Sequence, residues 1–157
     1  MNKAVSENFR FERKFIIPEQ LTHSIEEVVK SNSALMRKIF YPRFINNIYF
    51  DNPRFKSFFE NIDGVSERMK MRIRWYGNMK GEIKKPVLEL KQKNGLTGSK
   101  SFFKMPSFNL NNIYHPGFLS SLFQKTNLDM RKKNLMLSLK PTLINRYQRK
   151  YFLSFDQ

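Results

Sequence analysis

The stretch that decides the fold is Arg68-Met69-Lys70-Met71-Arg72-Ile73-Arg74-Trp75-Tyr76. Side chains in a strand point alternately to its two faces, so the four cations of this run share one face. The other face collects Met69, Met71, Ile73 and Trp75. A period of two lines one side of a strand but winds around a helix, which argues against a helix here. The run therefore predicts a strand with one cationic and one apolar face.

The cationic face of this strand needs something to offset its own repulsion. Same-face neighbours lie about 7 Å apart, and at an effective dielectric of about 20 each pair repels by roughly 2.4 kcal/mol. Water and salt offset that repulsion on an open surface, whereas an enclosed face needs carboxylates or a polyanionic ligand. Taken alone, the strand fits either a solvated sheet face or an anion-binding face.

The composition is strongly basic, with 29 Lys and Arg against 13 Asp and Glu and a formal net charge of +16. The expected partner is a polyanion, whether nucleic acid, an anionic membrane or a phosphate compound. Because the chain has no cysteine, disulfides and thiolate metal sites are excluded. The sequence has no signal-peptide core and no apolar run near the ~18 residues of a membrane span, so we expect a cytoplasmic protein. Its length suggests one domain over residues 1–157.

Other parts of the chain repeat the strand pattern or show helical apolar stripes. Further strands are predicted for residues 8–17, 44–51, 86–93, 99–105 and, as one or two strands around Pro141, 135–155. Helices are predicted from Pro18 to about Lys30, from Pro53 to Asn61, and from Pro116 to about Lys133 with a possible break at Asn127. The Asn94-Gly95 pair indicates a hairpin, so the strands should form an antiparallel meander.

The charged faces of these strands carry far more cations than carboxylates. The cations are Arg10, Lys14, Arg68, Lys70, Arg72, Arg74, Lys91 and Lys93, and the carboxylates are Glu12 and Glu89. Antiparallel strands of this kind can curl into a barrel with a charged lumen and helices outside. The predicted fold class is therefore α+β, an antiparallel β-barrel or tunnel with a basic lumen that holds phosphates through Arg and Lys contacts.

Several motifs in chain order resemble the VTC domain. This is the polyphosphate polymerase domain of the vacuolar transporter chaperone family and its bacterial relatives, within the triphosphate tunnel metalloenzymes. The motifs are Arg10 to Lys14, Asn47 to Asp51, Arg68 to Gly77, Leu88 to Lys91, and Pro141 to Phe152. The resemblance covers about residues 8–153, and it rests on the order of the motifs more than on any single one.

The resemblance implies a closed tunnel that transfers the γ-phosphoryl group of ATP onto a growing polyphosphate chain, with a divalent metal, Mn or Mg, as cofactor. By matching position it implies catalytic roles for Arg72, Arg74 and Lys91. The implied phosphate-binding set is Arg10, Lys14, Lys70, Arg72, Arg74, Lys91, Lys100 and Arg149. Glu89 is next to this set and is expected to orient a lysine in preference to binding metal, and Glu12 is similar, so no metal ligand is assigned.

This chain differs from the family pattern at the C-terminus, because family members continue into further strands whereas this sequence stops at Gln157. We therefore expect an incomplete sheet that a partner chain could complete through an exposed edge strand. An alternative function follows, a module that binds polyphosphate or triphosphate without catalysis. Nucleic acid is a less favoured partner, because the cations alternate with apolar residues and no exposed aromatic stacking positions are identified.

Overall fold

The computed structural model of the protein describes residues 13–155, which fall into two compact units. One unit comprises Met1–Phe40 and Phe152–Gln157, and the other comprises Tyr41–Tyr151. In the described part of the first unit, a 3₁₀ turn at Glu19–Leu21 leads into helix α1, Thr22–Ser31. This agrees with the helix predicted after Pro18. None of the helices in residues 13–155 is long and apolar enough to cross a membrane.

The larger unit holds most of the sheet and three more helices. In chain order the elements are β1 (Arg37–Asp51), α2 (Lys56–Ile62), β2 (Arg68–Tyr76), β3 (Glu82–Ile83), β4 (Val87–Asn94), β5 (Thr97–Lys104), β6 (Phe108–Asn109), a 3₁₀ segment (Leu110–Tyr114), α3 (Phe118–Gln124), α4 (Met130–Leu137) and β7 (Lys140–Leu153). The first residues of β1 and the last of β7 belong to the smaller unit.

The main sheet has five strands in the order β5-β4-β2-β1-β7. The pairs β1–β2, β2–β4 and β4–β5 are antiparallel, and β3 and β6 form a separate two-stranded sheet. The predicted strand at residues 68–76 is thus the middle strand, and the α+β class with a mostly antiparallel sheet is confirmed. Within residues 13–155 the sheet is not closed, so a barrel or tunnel is not confirmed.

The apolar face of the sheet forms the core beneath α3 and α4. Ile48, Ile73 and Leu88 are aligned side by side across β1, β2 and β4, and all three are fully buried. Phe123 of α3 packs on Phe50 with the ring centroids 6.0 Å apart, in an edge-to-face arrangement. Trp75 is only 1% exposed, as its position in the alternation predicted.

The strand predicted for residues 8–17 is wrong where the structure describes it. Residues 13–17 form no strand, and Phe15 and Ile16 are exposed. Alternation gives a segment two faces, but a strand also needs a neighbour that pairs with its backbone groups. The remainder of that prediction, residues 8–12, lies outside the described residues.

The region predicted as one or two strands over residues 135–155 begins instead as the end of a helix. Helix α4 continues to Leu137, and a single strand starts at Lys140. The N-terminus of α4 is fixed by Asp129, whose carboxylate accepts a hydrogen bond from the backbone N–H of Lys132 at 2.8 Å. Pro141 lies near the start of β7, where a missing N–H is tolerated. The predicted break near Asn127 is confirmed.

Candidate functional site

One face of the five-stranded sheet, within residues 41–151, gathers polar and cationic side chains; we call it the charged face. Paired residues on adjacent strands share a face, so the register assigns its members. Tyr49, Arg72 and Glu89 are aligned across β1, β2 and β4. Asn47 and Arg74 form the next row. The charged face is therefore built by the same alternation that buries Ile73 and Trp75 on the opposite side.

Glu89 binds two arginines at the centre of the charged face. Its Oε2 accepts a hydrogen bond from Arg72 Nε at 2.7 Å, and its Oε1 lies 2.9 Å from a terminal nitrogen of Arg74. The Glu89 side chain is only 12% exposed, so water screens these pairs weakly. Glu89 thus orients two arginines. The prediction that it orients a lysine is wrong, because its partners are Arg72 and Arg74.

Neutral side chains of β1 and β7 complete the fixation of the two arginines. Arg72 donates a hydrogen bond to the Tyr49 hydroxyl at 3.0 Å, and Arg74 donates one to Asn47 Oδ1 at 3.2 Å. The amide of the fully buried Asn47 in turn donates to Asn145 Oδ1 at 2.9 Å. The network therefore spans four strands, β4, β2, β1 and β7, and holds the two guanidinium groups in defined positions.

The balance of burial and pairing keeps Arg72 charged. Burial alone would lower the pKa of Arg72, but the hydrogen bonds to Glu89 and Tyr49 outweigh it, so the pKa is raised above its ordinary value. Arg72 is consequently held in its charged form. A fixed fork of N–H donors is well suited to the oxygens of a phosphate group.

A row of lysines lies beside the arginine network. Lys70, Lys91 and Lys100 are directly paired across β2, β4 and β5, so their ammonium groups leave the same face of the sheet. The adjacent row pairs Arg68 with Lys93. Like charges placed directly opposite each other destabilise a sheet. The lysine row therefore concentrates positive charge on the charged face, beside the two arginines.

The β7 side of the charged face is a stack of arginines and tyrosines. The Arg149 guanidinium lies 5.4 Å from the ring centroid of Tyr147 and 5.8 Å from that of Tyr151. Arg43 lies between Tyr151, at 5.0 Å, and Tyr76, at 5.3 Å. These are cation–π distances, and they order both arginines. The sequence prediction did not include Arg43. Its spacing of four residues from Asn47 in β1 places both side chains on the same face of the sheet, so the alternation could have identified it.

The structure brings together most of the residues that the sequence singled out. Those on the charged face are Lys70, Arg72, Arg74, Lys91, Lys100 and Arg149. Lys14 belongs to the smaller unit, in the irregular segment before α1, and Arg10 lies outside the described residues. The sequence did not identify Tyr49, Asn47 and Asn145 as supports, since their partners are set by strand pairing.

The carboxylates of the charged face do not fit a metal site. Within the described strands, Glu89 and Asp51 are the acidic residues at positions of this face. Glu89 binds the two arginines, and the Asp51 carboxylate accepts hydrogen bonds from Ser57 N and Phe58 N, each at 3.0 Å. No group of three or more His, Asp or Glu residues in the part of the chain described could hold a metal ion. Within residues 13–155, both carboxylates of the charged face are therefore engaged by other groups of the protein.

Asn47→Ala is expected to lower the free energy of unfolding by about 1–3 kcal/mol, because it leaves the partly buried Arg74 Nε and Asn145 Oδ1 without the hydrogen bonds that Asn47 makes to them. Urea denaturation measures the change. Asn112→Ala, an exposed asparagine of the 3₁₀ segment, is the matched control and should be neutral. Equal stability of the two variants would show that the Asn47 bonds contribute nothing.

The fold and the charged face define an α+β protein whose antiparallel sheet presents ordered arginines and lysines on one side. The family model of the VTC domain matches residues 9–157, nearly the whole chain, and the protein therefore belongs to the VTC domain family. This family is linked to polyphosphate synthesis and is generally metal-dependent. A search of curated proteins finds no match to the chain.

Proposed function

We propose that the charged face binds the phosphates of polyphosphate and ATP, and that the chain is a polyphosphate polymerase-like domain. The observation that carries the proposal is the Lys70-Lys91-Lys100 row beside two arginines fixed by Glu89. The lysines supply mobile point charges, whereas the arginines supply oriented donors. Membership of the VTC family adds the link to polyphosphate synthesis. A closed tunnel, completed by a partner chain that pairs with the sheet, belongs to the proposal as well.

The proposed reaction breaks the bond between the γ-phosphorus of ATP and the β–γ bridging oxygen, which leaves with ADP. A terminal oxygen of the polyphosphate chain forms the new bond to that phosphorus. The protein's task in such a transfer is to position the groups and neutralise their charge, and no nucleophilic side chain is needed. Arg72, Arg74 and Lys91 are the residues proposed for this task.

A second candidate is a module that binds polyphosphate without transferring phosphoryl groups. The engagement of both face carboxylates favours it, since Glu89 is bound to arginines and Asp51 to the backbone of α2. Phosphate binding by salt-sensitive charge contacts does not require a metal ligand from the protein. The two candidates share the binding face and differ only in turnover.

Titration calorimetry with tripolyphosphate tests the shared part of both candidates. We expect binding whose affinity falls steeply between low and physiological salt, because the contacts are ionic and partly exposed. A single-stranded RNA of similar total charge is the comparison ligand and should bind more weakly. Absence of tripolyphosphate binding, or a preference for the RNA, would contradict both candidates.

An assay of chain growth separates the two candidates. The protein is incubated with ATP, a short polyphosphate primer and either Mn²⁺ or Mg²⁺, the cations that the family resemblance implies. Lengthening of the primer with release of ADP would favour the polymerase, and a heat-inactivated sample is the control. Tight tripolyphosphate binding without lengthening would favour the binding module.

A further inference from the structure

A cavity of about 360 Å³ lies among α3, α4, the 3₁₀ segment and the start of β7. Its described lining residues all belong to the larger unit. Phe123, whose ring packs on Phe50 of the sheet's apolar face, forms part of its wall. The cavity therefore lies on the opposite side of the sheet from the charged face, and the phosphate contacts proposed above make no use of it.

The inner wall of the cavity is apolar and belongs to the core. Ile113, Phe123 and Met136 line it, although each is at most 2% exposed. Groups that border an unfilled space lose dispersion contacts on that side, and an apolar ligand restores those contacts. Because a cavity of about 150 Å³ holds one benzene ring, this one has room for an apolar body of about twice that size.

The mouth of the cavity is polar and carries a positive charge. His115, Ser120 and Lys140 line it and are at least partly exposed. Lys140 supplies the charge, and the described lining residues include no Asp, Glu or Arg. Within residues 13–155, the side chains of Ser120 and Lys140 make no hydrogen bond or ion pair. Both groups are therefore available to a ligand.

Backbone hydrogen bonds fix the segments that carry these polar groups. Leu139 N donates to the Met136 carbonyl at 3.2 Å, which ties the residue before Lys140 to the end of α4. On the other side, His115 N donates to the Asn112 carbonyl at 2.9 Å. A site whose walls are already held in place loses less entropy when a ligand binds. The cavity is therefore a preformed site.

We infer that this cavity binds an amphipathic monocarboxylate, with its apolar body against the core and its carboxylate at Lys140. A single lysine suits a single negative charge, whereas the polyanion proposed for the charged face requires several cations. The apolar wall requires a hydrocarbon body, which inorganic phosphates lack. A medium-length acyl chain and a fused pair of aromatic rings present this same chemistry. The site is additional to the proposed function and does not depend on it.

Calorimetric titration with decanoate and with naphthoate tests the site and separates the two kinds of apolar body. We expect one equivalent to bind, and the tighter ligand identifies the body. Lys140→Ala should weaken carboxylate binding by about fivefold to tenfold, between the effects of an exposed ion pair and a charged hydrogen bond. It should not affect the neutral analogues decanol and naphthol, and Lys140→Arg should keep the affinity. Lys125→Ala, an exposed lysine after α3, is the matched control and should change nothing.

A second variant tests the cavity itself. Ser120→Trp should abolish binding of the carboxylates and of their neutral analogues, because the larger side chain fills the mouth of the cavity, and its melting temperature checks the fold. Tripolyphosphate should not displace the bound carboxylate, since the two ligands occupy opposite sides of the sheet.

Three results would overturn the inference. The first is that the wild type binds neither carboxylate. The second is equal weakening by Lys140→Ala and Lys125→Ala, which would show that the ligand responds to net charge alone. The third is displacement by tripolyphosphate, which would place the carboxylate on the charged face. Failure of the wild type to bind tripolyphosphate would instead contradict the proposed function and leave this site intact.

Discussion

Lys91→Glu is expected to abolish most of the tripolyphosphate affinity, by roughly 3 kcal/mol or more, while making the protein more stable. Removing a charged hydrogen-bond donor costs about 1.5–3 kcal/mol of binding, and a new carboxylate adds repulsion of the ligand. In the free protein the same carboxylate lies between Lys70 and Lys100 and replaces two like-charge pairs by two attractive ones. Each such cross-strand pair contributes about 0.2–1 kcal/mol.

The opposite signs of the two effects make this prediction specific. Calorimetric titration gives the affinity, and urea denaturation gives the stability. Lys125→Glu makes the same change of net charge at an exposed position after α3, away from the sheet register, and is the matched control. If both variants lose the same affinity, the ligand responds to net charge alone and the lysine row is not its site.

Glu89→Gln is expected to lower the free energy of unfolding by about 2–3 kcal/mol. Removing one partner of a buried ion pair costs about 3–5 kcal/mol, and the partial exposure of Arg72 and Arg74 reduces this figure. The glutamine keeps the size of the side chain, so the loss reports the missing charge. Both guanidinium groups then lack their anion on a face that already carries several other cations.

Anions should restore part of the stability that Glu89→Gln loses. Tripolyphosphate is expected to raise the melting temperature of the variant more than that of the wild type, because it supplies negative charge where the carboxylate was removed. Glu82→Gln, at an exposed position of β3, is the control and should behave like the wild type. Equal stability of Glu89→Gln and the wild type would show that the ion pairs are not structurally important.

The features that the sequence predicts well are those determined within a short segment. The strand at residues 68–76 matches β2 because its period of two fixes both faces without reference to other parts of the chain. The break near Asn127 and the end of β1 before Asn52-Pro53 are local in the same way. Local signals therefore give β2, the end of β1 and the break between α3 and α4.

The features that the sequence misses depend on which strands pair. Glu89 is two residues from Lys91 in the chain, but the register of β2 and β4 places Arg72 opposite it. The hydrogen bond between Asn47 and Asn145 joins residues 98 positions apart, and no local sequence pattern predicts it. Residues 13–17 have the alternation of a strand but no neighbouring strand that pairs with them, so the local pattern predicted a strand that does not form. Closure of the sheet is likewise a property of pairing and not of any one strand.

The stacking of Arg43 between Tyr76 and Tyr151 affects the conformational entropy that the protein loses when it binds a ligand. An arginine side chain that is free in solution loses up to about 2 kcal/mol of rotamer entropy when a ligand fixes it. Arg43 is already held between two rings, so much of that loss occurs on folding. The exposed Lys91 and Lys100 are not held in this way. An anion at the tyrosine end should therefore bind with a smaller unfavourable entropy than one at the lysine end.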